Sequence, residues 1–305
     1  MCDIADTLYV SLFGEVKLKY ENIILPDFPT HKSKALFAKL ILHAGHYFSR
    51  DSLAEAFWGD LPMDKARKCL RTELWRLRRT LDYYQSCSSS YLLVNKNGIC
   101  FNAESNFTLD VQLFERKLLK LSQTEIESYT DSDCADLNQC IELYTGDLLE
   151  SLPGEWCLLR REELRSHYLI VLELLLQFYM LKQNWNKAIL FAQQLLSHDA
   201  LLEHIHLSLM RCYYAQGNRT AAINQYQNCR ILLRDELGVS PMQDTEYVYH
   251  SIISHVPVAD FNISKFKVFK SQAMLVDTVN QALGNLRTTE KLLLQAAEQI
   301  SNKTT

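Results

Sequence analysis

A short pattern repeats in the second half of the chain at a displacement of 34 residues. Asn184-Trp-Asn-Lys-Ala-Ile189 is followed by Asn218-Arg-Thr-Ala-Ala-Ile223, and Tyr179 correspondingly precedes Tyr213. A period of this length is typical of repeats made of two antiparallel helices, each of which buries one face against the next repeat. This part of the chain is therefore constrained to a stack of helical hairpins.

Helical periodicity extends from about Val111 nearly to the end of the chain. We predict tetratricopeptide-like hairpins, the second of which ends at Leu237-Gly-Val-Ser-Pro241, where a glycine stops the helix and a proline follows it. The tail then carries a heptad pattern at Val279, Leu286, Leu293 and Ile300. Glu290 interrupts it at one core position, and a tail of about three to four heptads fits either a dimerising coiled coil or a helix that caps the repeats.

The N-terminal part has a different pattern. Three runs rich in β-forming residues, at 8–12, 15–18 and 22–25, predict a small sheet. A buried helix is predicted from Thr30 to Ala44-Gly45. Ser49-Arg-Asp-Ser52 is a capping signal for a second helix, which we expect to end at Gly59.

A third predicted helix, at residues 64–81, has two opposite faces. Its apolar row has helical spacing and consists of Ala66, Leu70, Leu74, Leu77 and Leu81. The opposite row is Lys68, Thr72, Arg76 and Arg79, and the flank between them is Arg67, Arg71, Trp75 and Arg78. Seven cationic side chains stand against three acidic ones, Asp64, Glu73 and Asp82, whereas a solvated surface helix usually interleaves both signs. This asymmetry predicts a DNA recognition helix.

A hairpin is predicted after the third helix. Asn97-Gly98 lies between two β-rich runs, residues 91–94 and 99–101, which is a strong hairpin pattern. A sheet, three helices and a hairpin make a winged helix, in which the third helix enters the major groove and the hairpin reaches the adjacent backbone or minor groove. The predicted fold class is therefore mainly α with a small β component: a winged helix followed by tetratricopeptide-like repeats.

The order of these motifs resembles the antibiotic-regulatory-protein (SARP) family of bacterial transcriptional activators, from about residue 8 to residue 254. In the first half the matching residues are Leu12-Phe-Gly14, Lys34-Ala-Leu36, Ser49-Arg-Asp-Ser-Leu53, Phe57-Trp-Gly59, Leu74-Trp-Arg-Leu-Arg-Arg-Thr-Leu81 and Tyr91-Leu-Leu93. In the second half they are Tyr144-Thr-Gly-Asp-Leu-Leu149, Arg161-Glu-Glu-Leu164 and Asp235-Glu-Leu-Gly-Val-Ser-Pro241. The resemblance implies an OmpR-type winged helix joined to a bacterial transcriptional activator domain.

The same resemblance implies sequence-specific binding to promoter repeats in double-stranded DNA and recruitment of RNA polymerase. We also expect a homodimer on DNA. The resemblance places Arg76 at a base-facing position and Arg78 and Arg79 at positions that meet phosphates. Trp75 either covers apolar surface or contacts a sugar or a thymine methyl group. The full set of residues predicted to contact DNA is Arg67, Lys68, Arg71, Thr72, Trp75, Arg76, Arg78, Arg79, Lys96 and Asn97.

The predicted domains are residues 1–108, a winged helix; 109–257, the activator domain; and 258–305, the helical tail. The formal net charge is −4, so DNA binding has to rest on a local basic patch. Nine scattered cysteines without a C-x-x-C pair indicate reduced thiols, and the chain shows neither a signal peptide nor a membrane-spanning run. We therefore expect a cytoplasmic protein that does not insert into a membrane.

We expect neither an enzyme nor a cofactor, and no metal site. The sequence contains no G-x-x-x-x-G-K-[ST] run, no G-x-S-x-G and no H-E-x-x-H. His204 and His206 are two residues apart, a spacing that points them to different faces of a helix and disfavours chelation. The alternative function is a protein-interaction scaffold with a structural winged helix. A scaffold, however, does not require Lys68, Arg76 and Arg79 on one exposed face, and DNA binding does.

Overall fold

The computed structural model describes residues 7–20, 23–82, 90–152 and 154–254. This part of the chain is mainly helical with a small β component, which confirms the predicted fold class. Contacts divide the chain into two compact units, residues 1–119 with 130–172 and residues 120–129 with 173–305. The first unit extends past residue 108, whereas the predicted domain boundaries follow the motifs in the sequence and stay a prediction. The heptads of residues 258–305 lie outside the described residues.

A four-stranded sheet begins the first unit, in the order β3-β2-β1-β6. Its strands are β1 Leu8–Ser11, β2 Lys17–Tyr20, β3 Ile23–Ile24 and β6 Phe107–Leu109. The first three confirm the predicted sheet and pair antiparallel, whereas β6 lies parallel to β1. The sequence prediction missed β6, because a strand of 3 residues that leads directly into a helix leaves almost no alternation to detect.

Three helices follow the first three strands in the chain, at the positions that the sequence predicts. They are α1 His31–Leu42, α2 Arg50–Trp58 and α3 Met63–Asp82, and α3 packs against α1 and α2. Thr30 and Ser49 cap α1 and α2, because their side-chain oxygens accept hydrogen bonds from the backbone N–H groups of Ser33 and Ser52. The apolar row of α3 is buried at Ala66, Leu70, Leu77 and Leu81. Leu74 is only half-buried, and Glu73 beside it is buried instead.

The predicted hairpin consists of β4 Leu92–Asn95 and β5 Gly98–Phe101. Its two-residue loop is Lys96-Asn97, not Asn97-Gly98 as the sequence pattern implied, and Gly98 is the first residue of β5. Gly98 has a φ of +134°, and a Cβ there would lie 2.1 Å from the carbonyl oxygen of Phe48. Glycine is required at this position because Phe48 and Ile99 exchange two backbone hydrogen bonds of 2.9 Å each, which bring the hairpin close to the chain before α2.

The end of β1 is hydrogen-bonded to a segment far along the chain, residues 145–150. The backbone N–H of Gly14 donates to the carbonyl of Asp147, and that of Leu149 donates to the carbonyl of Leu12, both at 2.9 Å. The N–H of Glu150 donates to the carbonyl of Gly14 at 3.0 Å, and Thr145 Oγ1 donates to the carbonyl of Phe13 at 2.8 Å. These bonds tie the N-terminal sheet to this distant segment within the first unit.

Helices α4 Asp110–Ser122, α5 Asp131–Leu143 and α6 Leu158–Leu181 follow the sheet. Within the described residues, one helical stretch, Glu155–Leu181, is long and apolar enough to span a membrane. Its most apolar window is 67% buried inside the protein. A core helix of a folded domain has this pattern, because it is apolar on every face that it buries.

The second unit contains the predicted 34-residue repeat. Its helices are α7 Trp185–His198, α8 Glu203–Ala215, α9 Arg219–Leu232 and α10 Gln243–Ile253. Asn184 and Asn218 both cap a helix, by accepting hydrogen bonds from the N–H groups of Lys187 and Ala221. The chain leaves α9 through a π-helical turn, Leu233–Leu237, and Gly238 ends that turn with a left-handed φ of 69°. The repeat and its glycine stop are confirmed.

The two repeats differ at the residue before each cap. Gln183 and Gly217 both have a positive φ, 56° and 80° respectively. Such a conformation costs an L-residue roughly 1–2 kcal/mol, whereas glycine adopts it freely. The first repeat therefore holds a strained residue where the second holds glycine.

We predict that Gln183→Gly raises the free energy of unfolding by about 0.5–1 kcal/mol, because relief of strain exceeds the added entropy of the unfolded chain. Urea unfolding followed by far-ultraviolet circular dichroism measures the change. Gly217→Ala is the matched control and should lower the free energy of unfolding by about 1 kcal/mol. An added Cβ at Gly217 meets nothing within 4 Å, so only the backbone conformation changes. Equal stability of the Gln183→Gly variant and the wild type would contradict this account.

Candidate nucleic-acid interface

Helix α3 and the tip of the hairpin carry all the residues that were predicted to contact DNA. Nine of these ten are exposed: Arg67, Lys68, Arg71, Thr72, Trp75, Arg78, Arg79, Lys96 and Asn97. Arg76 is half-buried, with 39% of its side chain exposed, whereas Lys68 and Arg79, which were predicted to share its face, are exposed. The first turn of α2 links the two elements. Arg50 Nη2 donates to the carbonyl of Asn95 in the hairpin at 3.0 Å, and Asp51 contacts α3.

Arg67 is held against α2 by a bidentate ion pair. Its Nε and Nη2 donate to the two carboxylate oxygens of Asp51 at 2.7 and 2.8 Å. The hydrogen bond from Arg67 lowers the pKa of Asp51 below its usual value, despite an opposing effect of burial. Part of the positive charge of Arg67 is thereby neutralised within the protein. By contrast, Lys68, Arg71 and Arg78 form no ion pair with any described side chain.

Arg76 is held by Glu73, which lies about one turn earlier on the same helix. Arg76 Nη1 donates to Glu73 Oε1 at 2.6 Å. The other carboxylate oxygen accepts from Thr30 Oγ1 at 2.7 Å and from Ser33 Oγ. Burial acts to raise the pKa of Glu73, but the hydrogen bonds from Ser33 and Thr30 and the charge of Arg76 together hold it below its usual value. Glu73 is therefore an ionised carboxylate, although only 7% of its surface is exposed.

Trp75 stands out from α3 with 59% of its surface exposed. The guanidinium of Arg79 lies over its indole ring, 5.6 Å from the centroid. These two residues border a shallow groove of about 570 Å³, whose lining residues are Pro26, Asp27, Pro29, Trp75, Arg76, Arg79 and Thr80. The half-exposed indole is compatible with both roles considered for Trp75, and the groove adds an apolar wall of prolines to a surface with two arginines.

Three of these features were not predicted from the sequence: Glu73 as an anchor, Arg50 as a contact of the hairpin, and the proline wall. The spacing of three residues between Glu73 and Arg76 was a visible signal, since side chains at i and i+3 of a helix are neighbours. The other partners come from distant parts of the chain, and local patterns do not reveal them.

One cluster in the described residues has the donor atoms of a metal site. The ligand atoms of Glu115, Glu163 and His167 lie within 4.8 Å of one another. Arg160, however, donates to Glu115 and to Glu163, each at 2.6 Å. A guanidinium therefore already supplies the positive charge that the two carboxylates require, and the three charged groups form a half-buried salt-bridge network.

The two histidines of α8 have different surroundings. His206 Nε2 lies 2.9 Å from the carbonyl oxygen of Ala200, and His206 Nδ1 lies 2.5 Å from the amide nitrogen of Gln225. His204 Nε2 instead lies 3.7 Å from Glu173 Oε1. The two rings thus point to different partners, as their spacing on a helix predicts.

Comparison with known proteins shows which proteins the chain is similar to. Residues 109–253 match the model of the bacterial transcriptional activator domain. The regulatory protein AfsR of Streptomyces coelicolor is 27% identical over 228 residues, which are 74% of this chain and 22% of AfsR. The transcriptional regulatory protein MoaR1 of Mycobacterium tuberculosis is 23% identical over 257 residues, 84% of this chain and 82% of MoaR1. The regulatory protein DnrI of Streptomyces peucetius is 23% identical, and the match covers 87% of DnrI.

A solved structure supports the same fold. Mycobacterium tuberculosis EmbR, in complex with a low-affinity phosphopeptide, superposes with a TM-score of 0.67 at 17% identity. The match covers 92% of this chain and 71% of the EmbR chain. With a winged helix at its N-terminus and a match to the bacterial transcriptional activator domain behind it, the chain is similar to the antibiotic-regulatory-protein (SARP) family of bacterial transcriptional activators.

Proposed function

We propose that this protein is a cytoplasmic, sequence-specific DNA-binding transcriptional activator, whose helix α3 binds in the major groove of promoter DNA. The observation that carries the proposal is the surface of α3, where Lys68, Arg71 and Arg78 are exposed and form no ion pair with described side chains. Exposed cations in this arrangement attract phosphates and release counterions on binding. The names of the relatives favour a transcriptional regulator over the scaffold.

The proposed contacts follow from the position of each side chain. An α-helix fits the major groove, where an arginine can form a bidentate contact with the O6 and N7 atoms of guanine. Arg76 occupies the middle of α3 and has the restrained geometry that such a contact needs. Arg78 and Arg79 then meet phosphates, as do Lys68, Arg71 and Thr72. Lys96 and Asn97 at the hairpin tip reach the adjacent backbone or minor groove.

The partners are part of the same proposal. Several relatives are named as regulators, and the chain spans 22% of AfsR but 82% of MoaR1. We propose that the protein binds promoter repeats as a homodimer and recruits RNA polymerase. It acts as a binding protein rather than as an enzyme, since its relatives are named for regulation.

The test of the proposal is selection of DNA sequences by the full-length protein from a random duplex library, followed by mobility-shift titration of the selected site. We expect enrichment of one motif and an affinity that falls linearly with the logarithm of salt concentration. A library that shows no enrichment would contradict sequence-specific binding. Enrichment of a motif that is unaffected by changes in α3 would contradict the assignment of the interface.

Arg76→Ala and Arg79→Ala should affect binding in different ways. We predict that Arg76→Ala costs about 1–3 kcal/mol at the selected site and relaxes the base preference at one position, because a base contact is lost. Arg79→Ala should weaken binding to all DNA sequences alike, because a phosphate contact is lost. It should also reduce the slope of log affinity against log salt concentration by about 1. Fluorescence anisotropy at several salt concentrations measures both effects. Arg234→Ala removes an exposed arginine of the second unit and should change neither.

Trp75 offers a test of the two roles that the sequence leaves open. Since more than half of its surface is exposed, Trp75→Ala should change the free energy of unfolding by less than about 0.5 kcal/mol. It should weaken DNA binding by about 1 kcal/mol, because Arg79 loses the ring that orients it. Trp75→Phe retains an aromatic face and should keep most of the affinity. A loss of stability with unchanged DNA affinity would instead assign Trp75 to packing.

A further inference from the structure

The recognition helix contains a buried carboxylate, which is an unusual feature for a surface that binds DNA. Glu73 lies on α3 and its side chain is 10% exposed. A carboxylate at the edge of a DNA-binding face repels phosphates, and its burial costs free energy unless hydrogen bonds compensate for it. Both effects oppose the presence of a glutamate at this position.

The carboxylate of Glu73 is fixed on one side by the beginning of α1. Its Oε2 accepts from Thr30 Oγ1 at 2.7 Å and from Ser33 Oγ. Thr30 is itself fixed, because its Oγ1 accepts from the backbone N–H of Ser33 at 2.9 Å and caps α1. The anchor is therefore a short side-chain network on a helix end, and it does not depend on a flexible side chain.

The opposite oxygen of Glu73 holds Arg76. The distance between Arg76 Nη1 and Glu73 Oε1 is 2.6 Å, and 39% of the Arg76 side chain is exposed. A guanidinium has five N–H donors in a planar fork, so one bond to Glu73 leaves the others for a ligand. The ion pair thus fixes the plane of the guanidinium and leaves its remaining N–H donors available.

We infer that Glu73 is a positioning residue for sequence recognition: anchored by Thr30 and Ser33, it orients the guanidinium of Arg76 toward base edges in the major groove. This inference rests on the proposed function. Orientation before binding reduces the entropy that Arg76 loses in a bidentate contact. The negative charge of Glu73 also weakens the attraction of Arg76 for any nearby phosphate. Both effects raise the ratio of specific to non-specific affinity.

A double-mutant cycle tests the inference, with the wild type, Glu73→Gln, Arg76→Ala and the double variant. Each protein is titrated with the selected site and with a scrambled duplex of equal length. Glutamine has one side-chain oxygen, which can still accept from Thr30 and Ser33, but its amide N–H groups then face the N–H donor of Arg76. The change therefore removes both the charge and the hydrogen bond that holds Arg76. We expect Glu73→Gln to lower the ratio of specific to non-specific affinity about tenfold while affinity for the scrambled duplex stays equal or rises. In the Arg76→Ala background the same change should alter the ratio less than about twofold.

Asp51→Asn is the matched control, because Asp51 pairs with another arginine of α3, Arg67, at an exposed position. It should raise affinity for both duplexes together and leave their ratio unchanged. Ser33→Ala is a milder variant that weakens the anchor but keeps the ion pair, and it should lower the ratio in the same direction as Glu73→Gln.

The outcomes separate the inference from the proposed function. A wild type without any preference for the selected site contradicts the proposed function. A wild type with a clear preference, but an unchanged ratio in Glu73→Gln or an equal drop in both backgrounds, overturns the positioning role alone. Thermal unfolding of each variant accompanies the titrations. If Glu73→Gln is unfolded at the assay temperature, Ser33→Ala decides the result, and an unchanged ratio there overturns the inference.

Discussion

The backbone junction between the end of β1 and residues 145–150 is the constraint on which the first unit depends. It joins Leu12 and Gly14 to positions more than a hundred residues later through ladder-like hydrogen bonds, three of which are 2.9–3.0 Å long. Asp110 completes it, since its carboxylate accepts from the N–H groups of Leu12 and Phe13 at 2.8 and 3.0 Å. The strand end thus has partners for N–H groups that a free sheet edge would leave exposed. Because the winged helix shares this junction with the start of the activator domain, the two belong to one compact unit.

Several motifs that carry the family resemblance meet at this junction. Arg161 donates from Nε to the carbonyl of Leu148 at 2.8 Å and from Nη2 to that of Leu149 at 3.1 Å. Gly14 and Gly146 approach so closely that a Cβ on Gly146 would lie 3.1 Å from the Cα of Gly14. The resemblance therefore has a physical basis here, because a glycine pair, a turn and an arginine are needed to bring two distant backbone segments together.

Sequence patterns predicted what depends on local periodicity. The three helices of the winged helix, the hairpin strands and the 34-residue repeat all follow from apolar spacing, caps and glycine stops. The same patterns could not predict β6, whose position depends on β1, nor the role of Gly98, which is set by the approach of Phe48. At the candidate site, periodicity identified the exposed row of α3 but not which of two neighbours, Glu73 or Leu74, is buried. That choice is decided by Thr30 and Ser33, which lie 43 and 40 residues earlier in the chain.

The charge of the whole chain and the charge of its proposed interface have opposite signs, and the ion pairs of α3 explain how both can hold. The chain has a net charge of −4, yet α3 presents seven cationic side chains. Two of these, Arg67 and Arg76, are paired with Asp51 and Glu73, so the acidic residues near α3 reduce its excess charge at defined positions. In the proposed interface, unpaired cations bind any duplex, and the exposed pair of Arg67 with Asp51 only lowers the attraction of α3 for all duplexes alike. Arg76, held by the buried carboxylate of Glu73, contributes instead where a ligand offers better partners than a carboxylate, so selectivity depends on Glu73 as well as on Arg76.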